Sequence, residues 1–405
     1  MSQLSRRAVL KAAALGTAAS AIPGLVLSQE PIRIGSLTPN TGGGGPYGPN
    51  IARAHRLVVD RVNAAGGVLG RPVQLIQENS ETNPEAAVRA ARKLVDADGV
   101  LGILGTWSSS VTLGIMPLCQ DAGVIQMCTS SSADIPRQDA KKLVFNFQAL
   151  SPIWGEAIGK LALTRGFDTY AIMALNNDFT VSMVDSFVDV VTEGGARMVN
   201  EPFYYNGGQA SYRGEVSRLT QDDPRAVFIP AYVTDFTAIF KELFRSGYEG
   251  QIISVSIATG DKFKEAVGEA ANGLLHGFPV PPIDSPAYQY YLEQVGLEDT
   301  GNVQHPFGTA GYDQMSTLLL GIESAGTTDT EEVKRHILKI SNGPGETVFD
   351  AVEGLEMLRA GKTINYTGAS SSVEFAPDAG VLQGRDFMLY EVQDGQDVVV
   401  ERIGA

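Results

Sequence analysis

Hydrophobic positions along the chain follow two periods. Ile32, Ile34 and Leu37 form a short apolar run that stops at a Pro/Gly cluster, the pattern of a buried strand. After it, Ile51, Ala54, Val58, Val62 and Ala65 recur on one helical face, with Pro49 near the start and Gly66-Gly67 as a C-terminal stop. Further strands are expected at 73–77, 100–104, 124–127, 170–174, 197–204, 226–229 and 251–255, with helices between them. Such alternation predicts parallel strands covered by helices on both faces, because right-handed crossovers place the helices there.

Two such sets follow one another. The first ends after Phe145-Asn146-Phe147-Gln148, and Pro152 suits the first turn of the next helix, so a boundary is expected near residue 150. Gly277-Phe278-Pro279-Val280-Pro281-Pro282 breaks the periodicity and suggests a second crossing between the sets. Helical patterns return at 286–295, 306–325 and 330–340. The tail is strand-like at 373–375, 387–392 and 398–400, with Asp/Gly turns between. The expected fold class is α/β, with two Rossmann-like lobes.

Composition narrows the function. About 375 residues remain after the N-terminal segment, which is long for one core and suits two domains. The net charge is −15, so a phosphate backbone would be repelled and nucleic acid is not an expected partner. Cys119 and Cys128 straddle a helix end and the next strand; a bridge and two buried thiols are both open. No Cys/His cluster has metal spacing, and no metal or cofactor is expected. Ser5-Arg6-Arg7-Ala8-Val9-Leu10-Lys11 and the Ala-rich run to Leu27 have the form of a twin-arginine export signal over residues 1–28, cut near Ser28 or Gln29. No Cys follows for a lipid anchor, and no later stretch reaches the roughly 18 apolar residues that span a bilayer. The mature chain is therefore expected to be periplasmic and not membrane-embedded.

In open α/β sheets, ligands lie beyond the carboxyl ends of the strands, which directs attention to the loops. Gly105-Thr106-Trp107-Ser108-Ser109-Ser110 stands between a strand and a helix expected at 111–120. Its N–H groups and hydroxyls suit a carboxylate, although Ser there also serves as an ordinary N-cap. Thr129-Ser130-Ser131-Ser132 follows the next strand and is again rich in small donors, where turn chemistry is the alternative. Gly43-Gly44-Gly45-Pro46-Tyr47-Gly48 satisfies G-x-G-x-x-G, so an NAD(P)-dependent enzyme is a rival reading. Two details oppose it: the first acidic candidate, Glu78, lies about 30 positions on instead of about 20, and Pro46 and Pro49 remove N–H groups that a pyrophosphate needs. His55, His276, His305 and His336 lie in unrelated settings and no Ser has a recognisable base, so no catalytic residue is expected.

Glycines 42–48 with Tyr47, the segment 63–72, Ala91-Arg92-Lys93-Leu94-Val95, Gly105-Thr106-Trp107-Ser108-Ser109 and Asp121-Ala122-Gly123-Val124 occur in this order. Together they resemble type I periplasmic solute-binding proteins of ABC importers, the leucine/isoleucine/valine-binding branch, from about residue 31 to the C-terminus. The resemblance implies two lobes joined by a three-strand hinge: 31–149 with 280–366, and 150–279 with 367–405, the third crossing falling near 366–370. It implies a small-molecule ligand in the cleft and an inner-membrane ABC permease as partner; a ligand-sensing receptor of the same fold is the alternative.

By the same resemblance, Ser109 binds a ligand carboxylate, Ser131 and Ser132 hold the polar head, and Tyr47, Phe179 and Tyr232 line the pocket, Phe179 replacing a usual Tyr. Trp107 and Ser108 belong to the Ser109 loop, where Trp107 is a candidate lid over an apolar group. Ser256 stands near the place of the acid that pairs with the ammonium of amino-acid ligands. Either the ligand lacks an α-amine, or Asp178, Asp235 or Asp313 supplies the charge. An amine-free carboxylate, aromatic or not, and a branched-chain amino acid are both compatible with this pattern.

Overall fold

The computed structural model describes residues 30–298, 307–376, 378, 380–384 and 386–403. The expected export signal at 1–28, His305 and the expected helix start at Pro306 lie outside the described residues. The first apolar run forms β1 (Ile32–Thr38), followed by a helix over Gly48–Ala64 with Pro49 in its first turn and Ile51, Ala54, Val58 and Val62 buried. Then come β2 (Val73–Asn79), β3 (Gly102–Thr106), β4 (Ile125–Cys128) and β5 (Val144–Asn146). All five strands are parallel, in the order β2-β1-β3-β4-β5. Strand order therefore reverses between β1 and β3, and the loops leaving their C-terminal ends diverge to open a crevice.

A second sheet contains β6 (Thr169–Leu175), β7 (Arg197–Met198), β8 (Phe203–Tyr205), β9 (Ala226–Phe228), β10 (Gln251–Val255) and β11 (Leu275–Val280). β12 (Glu346–Val348) and β13 (Ile364–Tyr366) pair only with each other, and β14 (Asp386–Gln393) and β15 (Gln396–Ile403) return to the second sheet. Its order is β15-β14-β11-β10-β9-β6-β7, with β8 beside β6. The tail hairpin is antiparallel, and its two-residue turn is Asp394-Gly395, both at positive φ (51° and 74°), as a type I′ turn requires. Here the order reverses between β6 and β9, so this sheet has its own crevice. The single strand expected over 197–204 is two short ones, because Pro202 offers no N–H to continue the ladder.

The chain passes from the first sheet to the second between Asn146 and Ser151, where the helix Ser151–Thr164 begins with Pro152 in its first turn. It returns after Val280, and the helices Pro286–Val295, Gly308–Ala325, Thr330–Asn342 and Ala351–Arg359 contribute to the same core as β1, β3 and β4. The third passage differs from the one expected at 366–370. Val373, Phe375 and Leu382 remain in the first core, Phe375 packing edge-on against Phe145 and Phe147, and the chain enters the second sheet only at Asp386. Residues 373–375 form no strand: Val373 takes φ 57°, and Phe375 makes only an isolated bridge to Leu382. Cys119 and Cys128 are unbridged and buried, and burial pushes each thiol up to about 12. Among the described residues, no helix is long and apolar enough to cross a membrane.

Candidate functional site

The two reversal points face one another. From the first sheet, the loops after β1, β3 and β4 bring Tyr47, Trp107 to Ser109, and Thr129 to Ser132. From the second, the loops after β6, β9 and β10 bring Phe179, Tyr232 and Ile257. Gly105 makes the turn out of β3 possible. It has φ 89°, the register with β4 shifts there, and a Cβ would lie 2.8 Å from Thr38 Cγ2 and 2.9 Å from His55 Cε1.

Between the loops lies a small, half-open cavity of about 20 Å³, far below the roughly 300–1,000 Å³ usual for small-molecule sites, so a ligand of ordinary size needs the loops to part. Trp107, Ser109, Thr129, Ser131, Trp154, Phe179, Tyr232, Ile257 and Phe307 line it. The rings form one connected cage. Trp107 stacks on Tyr47 (centroids 5.5 Å apart, planes at 27°) and lies 5.0 Å from Tyr232 and 5.8 Å from Phe307. Phe179 stacks at 6.5 Å on Tyr232 and meets Trp154 edge-on at 5.3 Å. These are the offset and edge-to-face arrangements that aromatic quadrupoles favour. Burial raises the Tyr47 and Tyr232 hydroxyls far above the ordinary phenol range, so both stay neutral.

The remaining wall is polar. Ser109 is the first residue of the helix Ser109–Ala122, and the side chain of its N-cap, Ser108, makes no capping bond, so the helix end presents unpaired N–H groups. Ser109 Oγ accepts from the N–H of Ser131 (3.3 Å) and Ser132 (3.1 Å), which leaves its own proton as a donor. Thr129 Oγ1 is buried without a hydrogen-bond partner in a residue that lines the cavity. A helix N-terminus, one hydroxyl proton and one unpartnered hydroxyl together suit an anion.

Contacts also cross the crevice. Tyr47 donates to Ile257 O (3.2 Å), Ser110 Oγ donates to Asp178 Oδ2 (2.6 Å), and the Tyr232 ring lies so close to Gly43 that a Cβ there would come within 2.6 Å of Cδ2. The glycine loop thus allows an aromatic ring from one sheet to approach the backbone of the other.

The sequence model of the periplasmic binding protein family matches residues 31–396. The chain belongs to the periplasmic binding protein family. It is 24% identical over 324 residues to the leucine-, isoleucine-, valine-, threonine- and alanine-binding protein of Pseudomonas aeruginosa, covering 78% of this chain and 85% of that one. Its fold matches a crystal structure of a leucine binding protein, LivK, from Thermotoga maritima (TM-score 0.77, 22% identity, 92% of this chain and 99% of that one). It also matches an ABC transporter solute binding protein from R. palustris in complex with benzoate (TM-score 0.72, 17% identity, 92% and 96% covered). The fold is that of the type I periplasmic binding proteins.

In this binding protein, Trp107, Ser109, Ser131, Phe179 and Tyr232 line the cavity, while Tyr47 backs it through Trp107 and Phe307. Ser108 hydrogen-bonds Tyr232. Ser132 offers its N–H to Ser109, but its own Oγ accepts from Asp134 N (3.2 Å), and it is not among the lining residues. Ser256 is likewise not a lining residue. Its Oγ lies 2.7 Å from His276 Nδ1, and His276 Nε2 lies 3.0 Å from Asp397 Oδ1. Sequence reading found no base near any Ser; tertiary structure sets His276 beside Ser256, His55 beside Ser36 (2.9 Å) and His336 beside Ser324 (2.8 Å). Lys264 also pairs with Asp397 (3.0 Å), so the chain of contacts ties β15 and a neighbouring helix to the end of β10.

Asp235 accepts from Tyr212 (2.6 Å) and Gly208 N (2.9 Å), and Asp313 from Tyr366, Ala369 N and Ser370 N; neither lines the cavity. Thr129, Trp154, Ile257 and Phe307 were not anticipated. Thr129 stood inside the flagged Ser-rich loop, whereas Trp154 and Phe307 carry the signature of ordinary helix residues.

Proposed function

We propose that this binding protein is the extracytoplasmic solute-binding subunit of an ABC uptake system. It takes a small amino acid or carboxylate between its two sheets and delivers it to an inner-membrane permease. In this reading the sheets are the cores of two lobes joined by the three chain passages, the chain is exported to the periplasm, and closure couples binding to delivery. A ligand that touches both lobes stabilises the closed form by its differential affinity for it. The observation that carries the reading is a cavity lined by residues from both reversal points, polar at the helix N-terminus and apolar elsewhere. Relatives and neighbours that bind branched-chain amino acids, leucine or benzoate support a small ligand with a carboxylate.

The test is calorimetric titration of the mature protein, unfolded and refolded to strip carried ligand, against amino acids and small aliphatic and aromatic carboxylates. Saturable binding that stabilises the fold by mass action is expected for at least one group. Silence across the panel from a folded protein would refute the proposal.

A further inference from the structure

We infer that the ligand of this cleft is an aromatic carboxylate carrying no ammonium group; the inference rests on the carboxylate-binding reading proposed above. The lining hydroxyls of Ser109, Thr129 and Ser131 occupy the loops after β3 and β4, whereas the rest of the lining is Ile257 and five rings: Trp107, Trp154, Phe179, Tyr232 and Phe307. Polar atoms on these rings are engaged or are donors. Trp154 Nε1 donates to Ala149 O (3.1 Å), Tyr232 is bonded to Ser108, and the Trp107 indole N–H can only donate. An ammonium group brings three donors and a charge, and it needs acceptors of opposite charge when buried. Among the described lining residues there is no carboxylate.

The carboxylates nearby already have partners, Asp261 beside Tyr47 pairing with Lys264 at 3.6 Å. At the end of β10, the Ser256 side chain is bonded to His276. The acid behind it, Asp397, is paired with both His276 and Lys264. Asp178, the residue before Phe179, accepts the Ser110 hydroxyl across the crevice at 2.6 Å. One anion is matched by the helix N-terminus, and a second, positive group is not. The walls carry the rest: Trp107, Trp154, Phe179 and Tyr232 present ring faces and edges against which an aromatic ligand packs.

The experiment compares matched ligands that differ by one amine: phenylacetate against phenylglycine and isocaproate against leucine, with benzoate as a fifth ligand, by calorimetry on the stripped mature protein. The amine-free member of each pair should bind at least about tenfold more tightly, and the ring acids more tightly than isocaproate. Equal or tighter binding of leucine or phenylglycine overturns the inference while leaving the carboxylate reading intact. Tighter binding of isocaproate than of any ring acid overturns its aromatic half. Asp178→Asn provides a second measurement: it should weaken both members of a pair alike, and selective loss of the amino acid would identify Asp178 as an ammonium partner and reject the inference. If none of the five binds to folded protein, the carboxylate reading falls with it.

Discussion

Ser109→Ala separates ligand binding from local architecture. The Ser109 side chain is 2% exposed, and its oxygen already accepts two backbone N–H groups, so the hydroxyl proton is what it offers a ligand. A hydrogen bond to a charged group contributes about 1.5–3 kcal/mol. At about 1.4 kcal/mol per decade, its loss should weaken a carboxylate ligand roughly 10- to 150-fold. Stability should fall too, because the N–H groups of Ser131 and Ser132 lose their acceptor. Their bonds are long, which places the effect near the lower end of about 1–3 kcal/mol. Calorimetry on the tightest ligand measures the first effect, and urea unfolding of ligand-free protein the second. Ser109→Thr keeps the hydroxyl and should recover most of the affinity. If Ser109→Ala lost stability but kept its affinity within about twofold, Ser109 would hold the 131–132 turn and nothing else.

Tyr232→Ala should reduce affinity by about tenfold or more through loss of the Trp107 and Phe179 ring contacts, at about 0.5–1.5 kcal/mol per pair, while the half-buried position leaves the fold intact; a loss of cooperative unfolding would instead make Tyr232 a core residue. Gly43→Ala places a Cβ 2.6 Å from the Tyr232 ring only when the crevice is shut, so it should weaken ligand without changing the stability of the open form. Small-angle scattering with and without ligand checks this, and full ligand-induced compaction in the variant would contradict it.

Between pH 4 and 6.5 the contributions of two buried groups to stability should oppose one another. Burial lowers His55 to about 4, so the unfolded chain takes up its proton first as pH falls, and up to roughly 3 kcal/mol is lost between pH 6.5 and 4. Burial raises Asp313 to about 6, so the folded chain keeps its proton longer, and a similar amount is lost as pH rises from about 4 to 6. His55→Gln should therefore be less stable at pH 6 than at pH 4.5 by urea midpoint. A variant with the same pH dependence as its parent would refute this opposition.

Much of the framework was legible because it is written in local spacing. Periodicity placed the strand Gln251–Val255 and the helix Pro286–Val295 at the bounds they occupy, and Pro152 marked the helix that opens the second sheet. The loops that matter were also legible, since a ligand site in an open sheet follows from strand polarity. The Ser109 and Ser131 loops and the ring of Tyr232 all reach the cavity.

What the sequence determined by itself is therefore the set of repeating βα units, the loops at their carboxyl ends and the donor-rich chemistry of those loops, because these depend on residues close together along the chain. Tertiary structure decided which loops meet. It gave Ser256 a partner 20 positions away in His276 and, through it, Asp397 another 121 away. It turned Trp154 from a helix residue into a cavity wall, left Thr129 Oγ1 without a partner, and kept Val373, Phe375 and Leu382 with the first core. Each of these depends on burial and pairing between segments distant in sequence, and local periodicity carries no record of which distant surface will cover a given side chain.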